Sequence, residues 1–296
     1  MQQYPGELAA LLVAVFWTIT ALSFEMASKR VGSLAVNIIR LAFALVFLSI
    51  FGLVFRGLPM PTDAGRHQWI WLSLSGLVGF VFGDYFLFHS YRLISSRIAM
   101  LIMTFVPPVT ALLGFLFLNE RMGWMHLAGM TLTVSGIAVT IFSHEKGKKI
   151  QLKYPIKGLF YAFLGVLGQA GGLILSKYGM QDYDAFASTQ IRIIAGFVGF
   201  ALIILIWGKI PLIITAFKNT KALWGITAGS FFGPFLGVSF SLVAIQYTTT
   251  GIAATLMAIV PILIIPPAAL FFKQKVGLLD YIGALISVFG VALFFL

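Results

Sequence analysis

Apolar residues occur in long unbroken runs along this chain, and short polar segments separate the runs. Each run is about 20 residues long, the length that an α-helix needs to cross the hydrocarbon core of a bilayer. The runs are continuous rather than alternating, so the pattern does not indicate the strands of a membrane β-barrel. The pattern predicts ten membrane helices, at Leu8–Ala27, Leu34–Phe55, Gln68–Tyr91, Ile98–Leu118, Trp124–Phe142, Ile156–Ser176, Ala185–Trp207, Ala222–Ile245, Ile252–Phe272 and Leu278–Leu296.

The predicted helices form an internal repeat. The stretch from Arg97 to Phe142 recurs as Gly251 to Leu296, at a constant displacement of 154 positions. One proline and several glycines keep this register, as Pro107 and Pro261, Gly123 and Gly277, Gly129 and Gly283, Gly136 and Gly290, Gly79 and Gly233, and Gly83 and Gly237. A repeat without gaps over two helices indicates a duplicated structural unit.

The repeat continues toward the amino terminus with a slightly smaller displacement. The segment from Asn37 to Ala42 resembles Thr189 to Ile194, 152 positions later. Each half therefore holds five predicted helices in the same order, and since five is odd, the second half enters the membrane from the opposite side. This predicts an all-α integral membrane protein with ten transmembrane helices, arranged as two inverted five-helix repeats around a central cavity.

A basic segment lies between the two repeats. We expect the first repeat at residues 1–142, a linker at 143–154 and the second repeat at 155–296. The linker, SHEKGKKIQLKY, is the most charged part of the chain, and its lysines are expected to form a solvated loop near lipid head groups.

Composition supports a membrane location. The chain is 60% hydrophobic and 10% charged, whereas soluble domains carry about 25% charged residues. The net charge of +11 comes from lysines and arginines in the loops, where membrane proteins use them for orientation and contact with lipids. Membrane lipids and a small-molecule substrate, not nucleic acid, are therefore the expected partners. We expect a multi-pass protein of a cell membrane, such as a bacterial inner membrane, as a monomer or homodimer.

Loop charges also predict an orientation. Most lysines and arginines follow the odd-numbered predicted helices. Because positive loops face the cytoplasm, this distribution places both termini outside.

Motifs of enzymes are missing from the sequence. It contains no GxxxxGK[ST], HExxH or GxSxG motif, and its four histidines are scattered without metal-ligand spacing. We therefore expect neither enzymatic activity nor a metal or other cofactor.

Three charged residues lie deep inside the apolar runs, away from their ends. Arg40 and Arg192 lie at equivalent depths in the second and seventh predicted helices, and Asp84 lies in the third. A charge inside a membrane costs about 2.5–3.5 kcal/mol on insertion scales and marks function by default. Two interpretations remain open. The arginines either snorkel or bond to free carbonyls, with Asp84 as a structural partner of Arg40, or all three bind substrate or protons.

The repeat is broken at one of these charges. The position equivalent to Asp84 is Val238. Arg40 therefore has an acidic candidate partner in its own half, whereas Arg192 has none. An arginine without a partner would suit a substrate carboxylate or phosphate. Asp84 would then hold a substrate amine or carry a proton, and together they would suit a zwitterion such as an amino acid.

Other polar and aromatic residues are weaker candidates. Trp17 and Gln169 are repeat-equivalent, and Tyr85 and His89 share a helix face, so these four are candidate cavity residues. Glu25 is a second proton-coupling candidate, but it also lies four residues before Lys29, in the favourable order for a helical ion pair. Glu120 is expected on the surface at a helix end.

Prolines inside the apolar runs are candidate hinges. Pro107, Pro234 and Pro261 should each kink a helix and free a carbonyl. The kinks either permit movement or only shape the bundle.

Both halves of the chain resemble a known family, the first half more strongly. The resemblance to the EamA domain of the drug/metabolite transporter superfamily is carried by Tyr91-Arg92, Ser95-Ser96-Arg97, Pro107, Leu118-Asn119-Glu120-Arg121, Gly129 and Gly136. Arg40 matches an arginine that this family often carries early in its second helix. The second half departs from the pattern, since Gln274-Lys275 replaces the usual Glu-Arg pair and Gly251 replaces Arg97.

The resemblance implies ten helices in two inverted halves, with the fifth and tenth helices peripheral to the cavity. Family members mostly export small metabolites, amino acids or drugs, often with protons, and keep both termini in the cytoplasm. This orientation disagrees with the loop charges, so the orientation stays open. Asp84 belongs to no general family motif and rests on the physical argument alone.

These observations favour a secondary active transporter, an exporter of small metabolites such as amino acids, that works by alternating access with proton coupling. Two alternatives are a multidrug exporter of lipophilic cations, with Asp84 as the cation site, and a protein that does not transport metabolites, such as a lipid scramblase.

Overall fold

A computed structural model describes residues 4–94, 99, 102–143, 155–263 and 278–293. These residues form helices and loops, with no strand among them. The α-helices are α1 Pro5–Val31, α2 Ser33–Arg56, α3 Arg66–Gly76, α4 Tyr85–Leu93, α5 Val106–Leu118, α6 Trp124–Ser143, α7 Ile156–Met180, α8 Ala185–Ile206, α9 Ile210–Phe217, α10 Thr220–Ser230, α11 Val238–Tyr247, α12 Thr250–Met257, α13 Val260–Leu263 and α14 Leu278–Ala292. Two π-helical segments, π1 Leu77–Asp84 and π2 Phe231–Gly237, join α3 to α4 and α10 to α11.

The predicted all-helical membrane architecture is confirmed. Within the described part of the chain, six helices are long and apolar enough to cross a membrane: α1, α2, α3–π1–α4, α7, α8 and α10–π2–α11. Three shorter apolar helices lie in α5, α6 and α14. The count of ten spans and the domain boundaries remain predictions, because parts of the fourth, ninth and tenth predicted helices and linker residues 144–154 lie outside the described residues.

One helix was not predicted. The sequence pattern indicated a loop between Trp207 and Ala222, but α9 forms there. Ile214 and Phe217 on this helix are more than half exposed, whereas Ala216 is buried. A short helix with this exposure suits the boundary between lipid and water.

Irregular helix geometry recurs at equivalent places in the two halves. The π-helical segments begin at Leu77 and Phe231, 154 positions apart. Two-residue interruptions at 104–105 and 258–259 keep the same displacement and precede α5 and α13. Pro107 and Pro261 are the second residues of those helices. Amide groups in the first turn have no partner within the helix, so a proline there costs no helical hydrogen bond. Pro234 lies inside π2, so the three hinge candidates all lie at irregular segments.

Helices of one half pack against helices of the other. α1 packs along α10–π2–α11, and its equivalent α7 packs along α3–π1–α4. The α7 interface is closest at Gly168, where an added Cβ would overlap the backbone of Gly83. Nearby, the Ser75 hydroxyl donates to the Gly172 carbonyl at 2.6 Å. Small residues permit such close approach of helices in lipid.

Two further helices, one from each half, also pack against each other. α6 packs against α14, and the Ser287 hydroxyl donates to the Thr133 carbonyl at 3.1 Å. Thr133 and Ser287 are themselves 154 positions apart. An approximate two-fold axis between the halves therefore passes close to this contact.

A polar cluster joins the two halves at the end of the bundle where α1 begins, here called the N-terminal face. Glu120 accepts hydrogen bonds from the Thr250 amide at 2.9 Å and from the Thr250 hydroxyl, and its other oxygen lies 2.7 Å from Lys177 Nζ. Lys177 also donates to the Thr248 carbonyl at 2.7 Å. We call these four residues the Glu120 latch. The prediction that Glu120 lies on the surface is wrong, because only 11% of its side chain is exposed.

A second polar contact lies at the same face. The Tyr183 hydroxyl donates to Asp63 at 2.7 Å, and Arg56 donates to the other oxygen of Asp63 at 2.6 Å. Partial burial and the hydrogen bond to Asp63 raise the pKa of Tyr183 to about 12, so it stays a neutral donor. This contact joins the loop after α2 to the loop after α7, and so connects the two halves.

Candidate substrate-binding cavity

A cavity of about 180 Å³ lies between the two halves. Its walls come from α1, α2, α5, α7, α8, α12, α13 and both π-containing helices. Among the described residues, the lining consists of Trp17, Thr20, Ala21, Phe24, Arg40, Phe80, Asp84, Leu87, Phe88, Tyr91, Met103, Thr104, Val106, Gln169, Leu173, Arg192, Gly233, Pro234, Val238, Ser241, Ala254, Met257, Ala258 and Val260.

Most of the lining consists of pairs related by the repeat. The pairs are Trp17 and Gln169, Ala21 and Leu173, Arg40 and Arg192, Phe80 and Pro234, Asp84 and Val238, Leu87 and Ser241, Met103 and Met257, Thr104 and Ala258, and Val106 and Val260. The two halves therefore present equivalent positions to one space. Where the two members of a pair differ, the two halves present different charged or hydrogen-bonding groups to the cavity.

Arg40 is fully partnered in its own half. Its Nη2 donates to Asp84 Oδ2 at 2.5 Å, and its Nε donates to Asn37 Oδ1 at 3.0 Å. Gln169 donates to the other oxygen of Asp84 at 3.1 Å. Arg40 and Asp84 are both about 95% buried. A buried ion pair of this kind needs such hydrogen bonds, because water no longer solvates either charge.

Aromatic rings complete the surroundings of Arg40. Its guanidinium carbon lies 5.6 Å from the ring centre of Phe24 and 5.1 Å from that of Phe88. The Phe80 ring is 5.7 Å away on another side. Cations are attracted to aromatic faces at this range.

Arg192 has no comparable partners. It is equally buried, yet its Nε has no hydrogen-bond partner, and it forms no salt bridge with any described residue. Its contact with an aromatic ring is with Phe80, whose centre lies 5.0 Å from the guanidinium carbon. Both arginines therefore lie close to the Phe80 ring. A buried cation without an acceptor destabilises the protein, and an anionic ligand that paired with it would remove this cost.

Sequence differences at the partner positions explain this contrast. Thr189 replaces Asn37, and its hydroxyl donates to the Ala185 carbonyl at 2.9 Å instead of accepting from the arginine. Val238 replaces Asp84, and it has no acceptor to offer. The difference at these two positions leaves Arg192 without an acceptor from either of them.

Of the four weaker candidates for cavity residues, two line the cavity and two do not. Trp17 and Gln169 line the cavity. Tyr85 and His89 stack with ring centres 5.8 Å apart, and neither is among the described residues that line it. Tyr85 instead lines a shallow outer groove with Trp207.

Glu25 lies near the far end of α1, outside the cavity lining. Its carboxylate is 2.7 Å from Lys29 Nζ. Its side chain is 32% exposed, so solvent weakens this pair.

Sequence reasoning missed several lining residues. Phe24, Phe88 and Tyr91 line the cavity but have no polar pattern that distinguishes them from lipid-facing aromatics. Asn37 was noted only as part of the repeat. A comparison of each repeat position with its equivalent would have identified it, since Asn37 and Thr189 differ beside a shared arginine.

Comparisons with known proteins agree with this geometry. The chain is 26% identical over 144 residues to the "Uncharacterized transporter YoaV" of Bacillus subtilis (strain 168), a match that spans 48% of this chain and 49% of that protein. A solved crystal structure superimposes with a TM-score of 0.73 at 16% identity, covering 99% of this chain and 96% of the other; this likeness shows the fold alone. The sequence model of the EamA-like transporter family matches residues 4–142 and again 156–296. The chain is therefore a multi-pass membrane protein and belongs to the EamA-like transporter family.

Proposed function

We propose that this protein is a secondary active exporter of small metabolites that carry a carboxylate, in a bacterial cell membrane. The observation that carries the proposal is the buried guanidinium of Arg192 at a cavity between the two halves, since its Nε has no hydrogen-bond partner and it forms no ion pair with the described residues. An arginine in this state binds a carboxylate with two parallel charge-assisted hydrogen bonds. The substrate would supply the acceptor that Val238 does not.

The packing of the halves supports alternating access. The Glu120 latch joins the two halves at the N-terminal face, while the irregular segments at π1, π2, α5 and α13 border the cavity. Interrupted helices at the site are typical of transporters in which one half rocks against the other. Pro107, Pro234 and Pro261 lie where such bending would occur.

Asp84 is the stronger of the two proton-coupling candidates. It is buried, lines the cavity and is held by Arg40 and Gln169, so a change in its protonation would reach the substrate site directly. Glu25 is partly exposed and paired with Lys29 outside the cavity. We therefore propose coupling through Asp84.

Exchange in proteoliposomes tests the proposed function. Labelled amino acids and other carboxylates would be counted inside vesicles preloaded with the same unlabelled compound, with wild type, Arg192→Gln and empty vesicles compared. We expect exchange of at least one carboxylate by wild type and a loss of about a hundredfold or more in Arg192→Gln, since breaking a buried charge pair costs about 3–5 kcal/mol.

Two other results would overturn this proposal. Exchange of lipophilic cations alone, abolished by Asp84→Asn, would identify a multidrug exporter. Movement of fluorescent lipids between leaflets without exchange of any solute would identify a scramblase.

A further inference from the structure

The charges that line the cavity do not balance. Among the described lining residues, the ionised side chains are Arg40, Asp84 and Arg192. Arg40 and Asp84 neutralise each other at 2.5 Å. One positive charge therefore remains, at Arg192.

Asp84 is poorly placed to receive a substrate ammonium group. Each of its two oxygens already accepts a hydrogen bond, from Arg40 at 2.5 Å and from Gln169 at 3.1 Å. The Asp84 side chain is only 6% exposed. Each oxygen keeps a second lone pair, but an ammonium group that used it would lie close to the guanidinium of Arg40, where like charges repel.

The hydroxyl groups of the cavity offer only neutral acceptors. Thr20 donates to the Phe16 carbonyl at 2.8 Å, and Ser241 donates to the Val238 carbonyl at 2.7 Å. Their lone pairs can accept a hydrogen bond but cannot neutralise a positive charge. In an α-amino acid the ammonium lies one carbon from the carboxylate, so it would also lie close to the guanidinium of Arg192, where like charges repel.

The rest of the wall is apolar. Phe24, Phe88, Met103, Leu173 and Met257 contribute side chains without hydrogen-bonding groups to the lining. Such a surface suits a hydrocarbon body and offers few partners for a second polar group.

From this arrangement we infer that the cavity selects a monoanion, a carboxylate with an apolar body and no amino group, over the corresponding zwitterion. The inference rests on the proposed function and narrows its substrate class by net charge. Binding of a monoanion would bring the cavity to neutrality. A zwitterion would leave the positive charge of the cavity uncompensated.

A series of three compounds with the same hydrocarbon body tests this inference. Leucine is the zwitterion, isocaproate is the same molecule without the amino group, and isopentylamine is the same molecule without the carboxylate. Dissociation constants would be measured for purified wild-type protein by titration calorimetry. We expect isocaproate to bind at least about tenfold more tightly than leucine, a ratio that corresponds to about 1.4 kcal/mol, and isopentylamine not to bind.

The outcomes distinguish the inference from the proposed function. Leucine binding as tightly as isocaproate, or more tightly, would overturn the inference and leave carboxylate transport standing. Preferential binding of isopentylamine would overturn both. If none of the three compounds bound while another carboxylate was exchanged in vesicles, the inferred apolar monoanion would be wrong and the proposed function would stand. Measurements on the wild-type protein alone decide between these outcomes. The Arg192→Gln variant would locate the site if it lost isocaproate binding while its melting temperature stayed unchanged.

Discussion

Arg40 and Arg192 occupy equivalent positions in the two halves, 152 residues apart, yet only Arg40 bonds to a carboxylate. Both lie in the wall of the same cavity, and both approach the Phe80 ring. The repeat supplies two arginines to one space, and the replacement of Asp84 by Val238 gives them different roles. Arg40 stabilises the fold through its ion pair with Asp84, and Arg192 is available to a ligand.

The two arginines should differ in their effect on stability. Arg40→Met would leave Asp84 buried without its cation, which costs about 3–5 kcal/mol. Arg192→Met would remove a cation that has no partner, so we expect a change within about 1 kcal/mol or a gain in stability. Thermal unfolding of the two variants in detergent measures this difference, and each variant serves as the matched control of the other. An equal loss in both would contradict the assignment of Arg192 as unpaired.

Removing the charge of Glu120 should open the N-terminal face. Glu120→Gln weakens hydrogen bonds to a charged group, each worth about 1.5–3 kcal/mol, so the open population should rise by about tenfold or more. Since the chain has no cysteine, Ala254→Cys in the cavity wall provides a single reactive thiol. The measurement is its rate of labelling by a membrane-impermeant maleimide applied at the N-terminal face.

A matched variant controls for general loosening of the helices. Thr131→Val removes an exposed hydroxyl that bonds only within its own helix, and it should leave the labelling rate unchanged. An unchanged rate in Glu120→Gln as well would show that the latch does not hold this face closed.

The contact between α7 and π1 should not tolerate a methyl group. Gly168→Ala would place its Cβ against the backbone of Gly83, which cannot move aside without separating the helices. We expect a loss of about 1–3 kcal/mol, the usual cost of overpacking. Gly171→Ala, on the same helix, would meet only a methyl group of Val78 at 3.3 Å and should cost much less. Melting temperatures that fall equally would argue against this close approach.

Acid should weaken the contact between Asp63 and Tyr183. Burial tends to raise the pKa of Asp63, but hydrogen bonds from Tyr183, the backbone and Arg56 outweigh it and lower the pKa below its usual value. A carboxyl whose pKa is lower in the folded protein stabilises the fold above its unfolded pKa, and this stabilisation is lost as the pH falls through the folded pKa. Melting curves between about pH 6 and pH 3 should therefore show a smaller acid loss in Asp63→Asn than in wild type.

The size of this effect is limited. Because 43% of the Asp63 side chain is exposed, the difference should not exceed about 1 kcal/mol. Identical acid profiles would indicate that solvent screens the contact completely.

The sequence was sufficient for the membrane class and for the pairing of the two halves. The long apolar runs and the constant displacement of the repeat depend on composition and order alone, so they predicted the helices and the equivalence of Arg40 with Arg192. The same displacement identified Val238 as the position where an acid is missing. These features can be predicted from the sequence alone, because each depends on the residue at one position and the residue at its repeat-equivalent position.

Other features depend on packing between distant segments. Glu120 looks like any polar helix end, and only the approach of Thr250 and Lys177 from the other half buries it. Tyr85 and His89 share a helix face, but helix rotation decides whether that face meets the cavity, and the irregular geometry of π1 sets this rotation. The π-helical segments themselves had no signal beyond glycines and a proline.

The most direct test of the account is to give Arg192 the partner it lacks. Val238→Asp restores at that position the acid that Arg40 has in Asp84, and Val238→Asn is the uncharged control of nearly equal size. We predict that isocaproate binds Val238→Asn with nearly wild-type affinity and that its dissociation constant rises at least about tenfold in Val238→Asp, the factor for a loss of about 1.4 kcal/mol. Equal affinity in the two variants would show that the charge of Arg192 is not what binds the substrate.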